Sequence, residues 1–248
     1  MFVRTCGPLR IAEVWFEESP PAGADIAICR NGYHLPPGAA HAETSSTLLL
    51  DLTADAGAIL RGFKPECRYE IRRAEKDGVR CEFQAAPDSA AVTEFCRFHD
   101  GFARSKGRPP CSPDQLQRLR RQGALALSWA LPAAGDALVW HAYVHWERYT
   151  RLLHSASRFR EQQESAQRSL IGRANRALHW ADVRAFQALG CRTLDLGGWA
   201  KDSEEHARIS RFKEEFGGRR VARYDCIVGL TWLGRCAVRL QRVRGRWR

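Results

Sequence analysis

Apolar and polar positions repeat at two different periods along the 248-residue chain. Near the start the apolar runs are short. Residues 11–16 and 26–30 read as strands on either side of the turn-rich Ser-Pro-Pro-Ala-Gly at 19–23. A second turn-rich stretch, 35–40, precedes Thr-Leu-Leu-Leu-Asp-Leu at 47–52, which reads as a buried strand. The period then lengthens to that of helices. Thr53 is placed to cap a short helix ending at Phe63. Pro65 opens another over 66–77, with Cys67, Ile71 and Ala74 as its apolar stripe and Gly78 as its stop. A strand over 79–84 follows. A helix over 88–104 carries Val92, Phe95, Phe98 and Phe102 at helical spacing. Ser112-Pro113 then starts a helix over 113–122.

The second half opens with strands over 124–131, 137–147 and 150–158, in antiparallel sequence. A long helix over 165–189 presents Leu170, Ala174, Ala177, Leu178, Ala181, Ala185 and Leu189 on one face, and Gly190 ends it. A strand over 191–196 runs into Gly197-Gly198. A helix over 204–216 closes on Gly217-Gly218, and strands over 221–231 and 236–243 complete the pattern. Helices on an antiparallel or mixed sheet make this an α+β protein rather than a doubly wound α/β one.

Composition sharpens the picture. At 44% hydrophobic and 27% charged residues, wholesale disorder is excluded. No apolar run approaches the ~20 residues of a membrane span. The first residues lack the apolar core of a signal peptide, so the expected address is cytoplasmic. The nine cysteines are odd in number and scattered, without Cys-x-x-Cys or finger spacing, which argues against a disulfide scaffold and against a structural zinc site. The net charge is +11, and 34 of the 39 basic residues are arginine. Nine arginines and one acid, Asp225, fall between Gly217 and Arg248. Such a block is a footprint for polyanions, and equally the pattern of a solvated basic tail.

Four segments resemble a known family. They are Arg68-Tyr-Glu-Ile-Arg-Arg-Ala-Glu-Lys-Asp-Gly-Val79, Gly172-Arg-Ala-Asn-Arg-Ala-Leu-His-Trp180, Ala-Leu-Gly190-Cys-Arg-Thr-Leu-Asp195-Leu-Gly-Gly198 and Ile209-Ser-Arg-Phe-Lys213-Glu-Glu-Phe-Gly-Gly218. In this order and spacing they resemble the FemABX-like, peptidyltransferase-type branch of the GNAT acyltransferase superfamily, over roughly residues 47–224. The resemblance implies a GNAT-like, mostly antiparallel sheet flanked by helices. A reduced GNAT-like half would occupy residues 1–110 and a full GNAT domain residues 111–248. It also implies an acyltransferase that forms an amide, taking an aminoacyl group from aminoacyl-tRNA. The chain is shorter than the family's peptidoglycan enzymes and lacks their coiled-coil arm. A small-molecule amine, a natural-product scaffold above all, is therefore the expected acceptor, ahead of a peptide precursor. No cofactor is needed on this reading. An acyl-CoA donor is the alternative, and its diphosphate loop is degenerate here, since Arg168-Ser-Leu-Ile-Gly172-Arg-Ala174 has one residue too many before the glycine.

The resemblance places Lys213 at the reacting carbonyl, where a cation stabilises an oxyanion. Asp195, at a strand end beside glycines, is the second catalytic candidate, to bind the acceptor amine or take its proton. A braced loop would use the same carboxylate in the same place. Phe212, Trp180, Asn175, Arg173, Ser155, Tyr69 and Arg72 are candidate substrate contacts. Arg68, Arg73, Arg239, Arg242 and Arg244 are candidates for the tRNA backbone, suited to bidentate phosphate contact. His179, mid-helix, is a weaker candidate base. His141, Tyr143 and His145 share a strand face. A metal pair there lacks a third ligand in the sequence, so no metal is expected.

Overall fold

The computed structural model describes residues 2–16 and 18–242. Its backbone divides into two compact units. The first takes the described residues up to Thr47, then 198–200, and those from Arg220 on. The second takes Leu48–Gly197 and Lys201–Arg219. The boundary expected at residue 110 falls inside this second unit.

In the first unit β1 (Phe2–Cys6) and β2 (Leu9–Trp15) form an antiparallel hairpin, and β2 runs parallel to β3 (Ile26–Gly32), pairing Ile11 with Ile26. The order continues through β10 (Arg219–Gly229) to β4 (Ala39–Asp51), whose first nine residues belong here. Ile11, Ile26, Ile28, Ile227 and Val238 fill the core.

A strand is expected over 236–243; its described residues, 236–242, are instead part of α7 (Trp232–Arg242), and Val243 lies outside the described residues. The Thr231 hydroxyl accepts the Gly234 N–H at 3.1 Å while donating to Asp25 at 2.7 Å, which anchors a helix start. Ala237 and Val238 then pack inward. Gly234 is required because a Cβ there would sit 1.9 Å from the Asp25 carbonyl oxygen. A short run such as Cys-Ala-Val-Arg-Leu alternates well enough to read as a strand, and only its partners decide.

The second unit holds the strands that follow in the same ten-stranded order, β4-β9-β8-β7-β6-β5. Its strands are β5 (Arg80–Gln84), β6 (Leu125–Leu131), β7 (Val139–Trp146), β8 (Tyr149–Ser157) and β9 (Thr193–Trp199), together with the end of β4. From β5 to β8 the pairing is antiparallel, while β8 and β9 run parallel. That parallel register covers Tyr149–Arg151 against Thr193–Asp195 and stops there, although both strands continue. The helices are α1 (Ala56–Gly62), α2 (Pro65–Lys76), α3 (Ser89–Ser105), α4 (Pro113–Arg121), α5 (Ser165–Ala188) and α6 (Glu204–Lys213). Asp55, not Thr53, caps α1, accepting the Ala58 N–H at 2.8 Å, and Thr53 donates its hydroxyl to Asp51 instead. A dense apolar core including Phe63, Tyr143, Trp180, Phe186, Leu194 and Phe216 joins α1, α2 and α5 to the sheet.

Candidate functional site

The chemistry-bearing residues of the second unit gather where regular β8–β9 pairing ends. Arg151 and Asp195 are the last register partners there. Asp195 is fully buried. Its Oδ2 accepts from the Arg151 guanidinium at 2.6 Å and its Oδ1 accepts the Gly197 N–H at 2.7 Å. Gly197 sits at φ +82°, and a Cβ there would lie 3.3 Å from Lys213 Nζ and 3.3 Å from the Leu152 carbonyl oxygen. The turn therefore needs glycine both for its backbone and for the approach of the lysine. Burial lowers the Lys213 amine to about 8. The Arg151 charge adds to that effect, and the Asp195 carboxylate opposes it. A lysine so placed switches between ammonium and amine close to neutral pH.

A second feature adjoins it through Arg176. This guanidinium lies 5.0 Å over the Phe212 ring and makes two bonds to Glu215, at 2.7 and 2.9 Å. It also lines a cavity of about 480 Å³ at the start of α5, with Arg168, Arg173, Ser165, Ser169 and Glu70. No side chain caps the first turn of α5. Three arginines beside an uncapped helix start make a positively charged surface, a pattern suited to phosphate groups. Arg173 is held by Asp77 at 2.7 Å, and Arg73 reaches the same carboxylate at 3.1 Å. Arg68 donates to the Arg61 carbonyl, while Tyr69 and Arg72 stand exposed on α2.

Behind this cavity lies a buried polar network. His141 Nδ1 is 2.8 Å from Asp182 Oδ2, and its Nε2 is 3.0 Å from Asn175 Oδ1. The Tyr143 hydroxyl donates to the same Asp182 oxygen at 2.6 Å. Burial and the Asp182 charge push the phenol well up, so it stays a donor. The His179 ring lies tilted against its neighbours, 4.4 Å from His141 and 4.7 Å from Phe216. Burial first, then the charges of His141, Lys213 and Arg176, hold it far below the usual imidazole range, so it is neutral. Ser155 lies opposite His141 on β8. Trp180 is buried, edge-on to Phe63 at 5.7 Å.

Lys213, Asp195 and Phe212 are thus brought together, and Asn175 and Arg173 lie along α5 from them. Arg239 is exposed on α7 of the other unit. Arg242 is described in its backbone alone, and Arg244 lies outside the described residues. Sequence reasoning missed Arg151, Arg176, Glu215 and Asp182. Asp182 carried one signal, its place one turn after His179 on the same helix. The pairing of Arg151 with Asp195 is non-local and has none.

No protein-family model matches the chain. No curated protein matches it either. Solved structures do. FemX superposes with a TM-score of 0.58 at 14% identity, covering 72% of this chain and 61% of its own. At this identity the likeness is one of fold. This chain thus spans less than two thirds of FemX. Two further solved structures match over almost all of it. L-PGS from Bacillus licheniformis gives 0.54 at 12% identity, covering 99% of this chain and 85% of that one. The C-terminal domain of a protein assigned as a lysylphosphatidylglycerol synthetase from Agrobacterium fabrum gives 0.52 at 13%, covering 97% and 84%. Among the described residues no helix is long and apolar enough to cross a membrane.

Proposed function

We propose that this FemABX-like chain is an acyltransferase that passes an aminoacyl group from aminoacyl-tRNA to an amine in the cytoplasm, forming an amide. The observation that carries the reading is Lys213, with its amine at about 8, held beside Gly197 at the end of β9. An ester on tRNA is already activated, so the protein has to position two reactants and stabilise charge. The acceptor nitrogen attacks the carbonyl carbon and a C–N bond forms. The Lys213 ammonium stabilises the resulting oxyanion. The C–O bond to the ribose then breaks, and the amine proton leaves with the ribose oxygen. Asp195 acts as a positioning residue, because both of its oxygens are engaged by Arg151 and Gly197. Arg168, Arg173 and Arg176 take phosphates of the donor, and Phe212 offers a face for its terminal base. Arg68, Arg72, Arg73 and Arg239 add backbone affinity.

A lipid acceptor is the second reading, in which a phospholipid hydroxyl replaces the amine and an ester forms. Trp232 is 71% exposed on α7, one turn before Arg235 and two before Arg239, and Leu240, next to Arg239, is 69% exposed, a pattern that suits an anionic membrane surface. The names of the two long-matching neighbours point the same way.

Retention of a charged tRNA pool at about 0.15 M salt, where nonspecific affinity is weakened, tests the donor. Selective retention of one charged species over its deacylated form, unchanged by excess acetyl-CoA, is expected. Binding of acetyl-CoA without preference for charged tRNA overturns the tRNA reading in favour of acyl-CoA. Product extraction from reactions with and without phosphatidylglycerol vesicles separates the acceptors.

A further inference from the structure

We propose that Cys96, His99, Asp100 and Cys111 form a zinc-binding site that ties α3 to the segment leading into α4. Cys96, His99 and Asp100 stand at i, i+3 and i+4 on α3, so they share one face of the helix. Cys111 comes from the loop 106–111 and directly precedes Ser112, the N-cap of α4. One ligand atom from each of His99, Asp100 and Cys111 lies within 4.8 Å of the others. The Cys96 and Cys111 thiols are hydrogen-bonded to each other, and both residues are buried. Tetrahedral zinc with sulfur, nitrogen and oxygen donors sets its ligand atoms about 3.3–3.8 Å apart, so a contraction of about 1 Å closes the set.

An independent observation points to an absent ligand. His99 is 8% exposed, and its Nδ1 is buried without a hydrogen-bond partner. Asp100 Oδ1 is buried and unpartnered as well. Unmade bonds of this kind are costly, and two in adjacent residues call for a common partner. A metal ion supplies it. Two thiolates, one imidazole and one carboxylate are a borderline-soft set that fits Zn2+ better than Mg2+ or Ca2+. Binding releases one proton from each thiol and leaves the site at a net charge of −1. Arg97, Arg104 and Arg108 line the cavity of about 490 Å³ shared with Cys96 and Asp100 and offset that charge, and the cavity gives an entry path. The other buried histidine–carboxylate group, His141 with His179 and Asp182, also leaves His179 Nδ1 and Asp182 Oδ1 without hydrogen-bond partners, but it has no thiol, and hydrogen bonds to Tyr143 and Asn175 hold its other polar atoms.

The test is metal analysis of the full chain purified without a polyhistidine tag, followed by titration of the stripped protein with Co2+ as a spectroscopic probe. About one Zn2+ per chain is expected, together with thiolate-to-Co2+ charge-transfer absorption. Both are lost in Cys96→Ser and in Cys111→Ser, and both are kept in Cys191→Ser, which alters another buried thiol. Zn2+ should raise the melting temperature of the stripped wild type and leave that of stripped Cys111→Ser unchanged. No metal in the wild type together with no charge-transfer band, or as much zinc in the two site variants as in the wild type, overturns the proposal. A Cys96–Cys111 disulfide in protein kept under reductant overturns it too.

Discussion

Two polar clusters in the second unit are built in opposite ways. Around Lys213 the acid is fully engaged: Asp195 holds Arg151 and the Gly197 amide with both oxygens. A lysine is nevertheless kept where burial disfavours its charge. Around Cys96 the reverse holds, and polar atoms of His99 and Asp100 are buried with nothing to bond. An expensive charge held by well-satisfied neighbours marks a place where chemistry is done. Buried groups left unsatisfied mark a place where a partner is missing. The two clusters should therefore respond differently to the same kind of substitution.

Lys213→Met should give the largest effect. Loss of one oxyanion-stabilising group costs about 100- to 1000-fold in kcat. The melting temperature at pH 7 should not fall, because the variant no longer buries an ammonium. A clear loss of stability with activity intact would make Lys213 a structural residue and collapse the contrast. Asp195→Asn comes next. It strips Arg151 of a buried counter-charge and should cost roughly 3 kcal/mol in urea unfolding. Gly197→Ala should cost about 1–2 kcal/mol for its left-handed backbone. It should also lower activity, since the new Cβ meets Lys213 Nζ at 3.3 Å.

A further effect is on the pH dependence of folding. The lysine takes up its proton at about 8 in the folded chain, against an ordinary value of 10.5. Between these values the unfolded chain binds the extra proton, so stability rises with pH across this window. That rise should be absent in Lys213→Met. The activity of the wild type should fall through pH 8 as the ammonium is lost, when it is measured with an acceptor amine that is already neutral.

Much of this architecture is legible in the sequence, and the reasons for the failures are physical. Helix faces such as Cys67, Ile71 and Ala74 announce themselves because burial follows a fixed period. Phe212 and Lys213 were found through a local motif ahead of Gly217-Gly218. Residues 236–242 were misread because a short apolar run fits both periods until Gly234 meets Asp25. The Arg151–Asp195 pair depends on the parallel pairing of β8 with β9, across 44 residues of chain. Cysteine spacing carries no sign of the proposed zinc site, since fingers are recognised by ligands close in sequence, whereas Cys111 meets Cys96 only through the turn after α3.

The most direct test of the central claim is a single-turnover assay of aminoacyl transfer from a labelled, charged tRNA pool. Wild type and Lys213→Met would be compared at about 0.15 M salt, with acceptor amines and phosphatidylglycerol vesicles supplied in turn. Lys213-dependent loss of label from one tRNA species, with the label recovered on an acceptor, is the predicted result. Identical traces for the two proteins, with every charged tRNA left intact, would contradict the account.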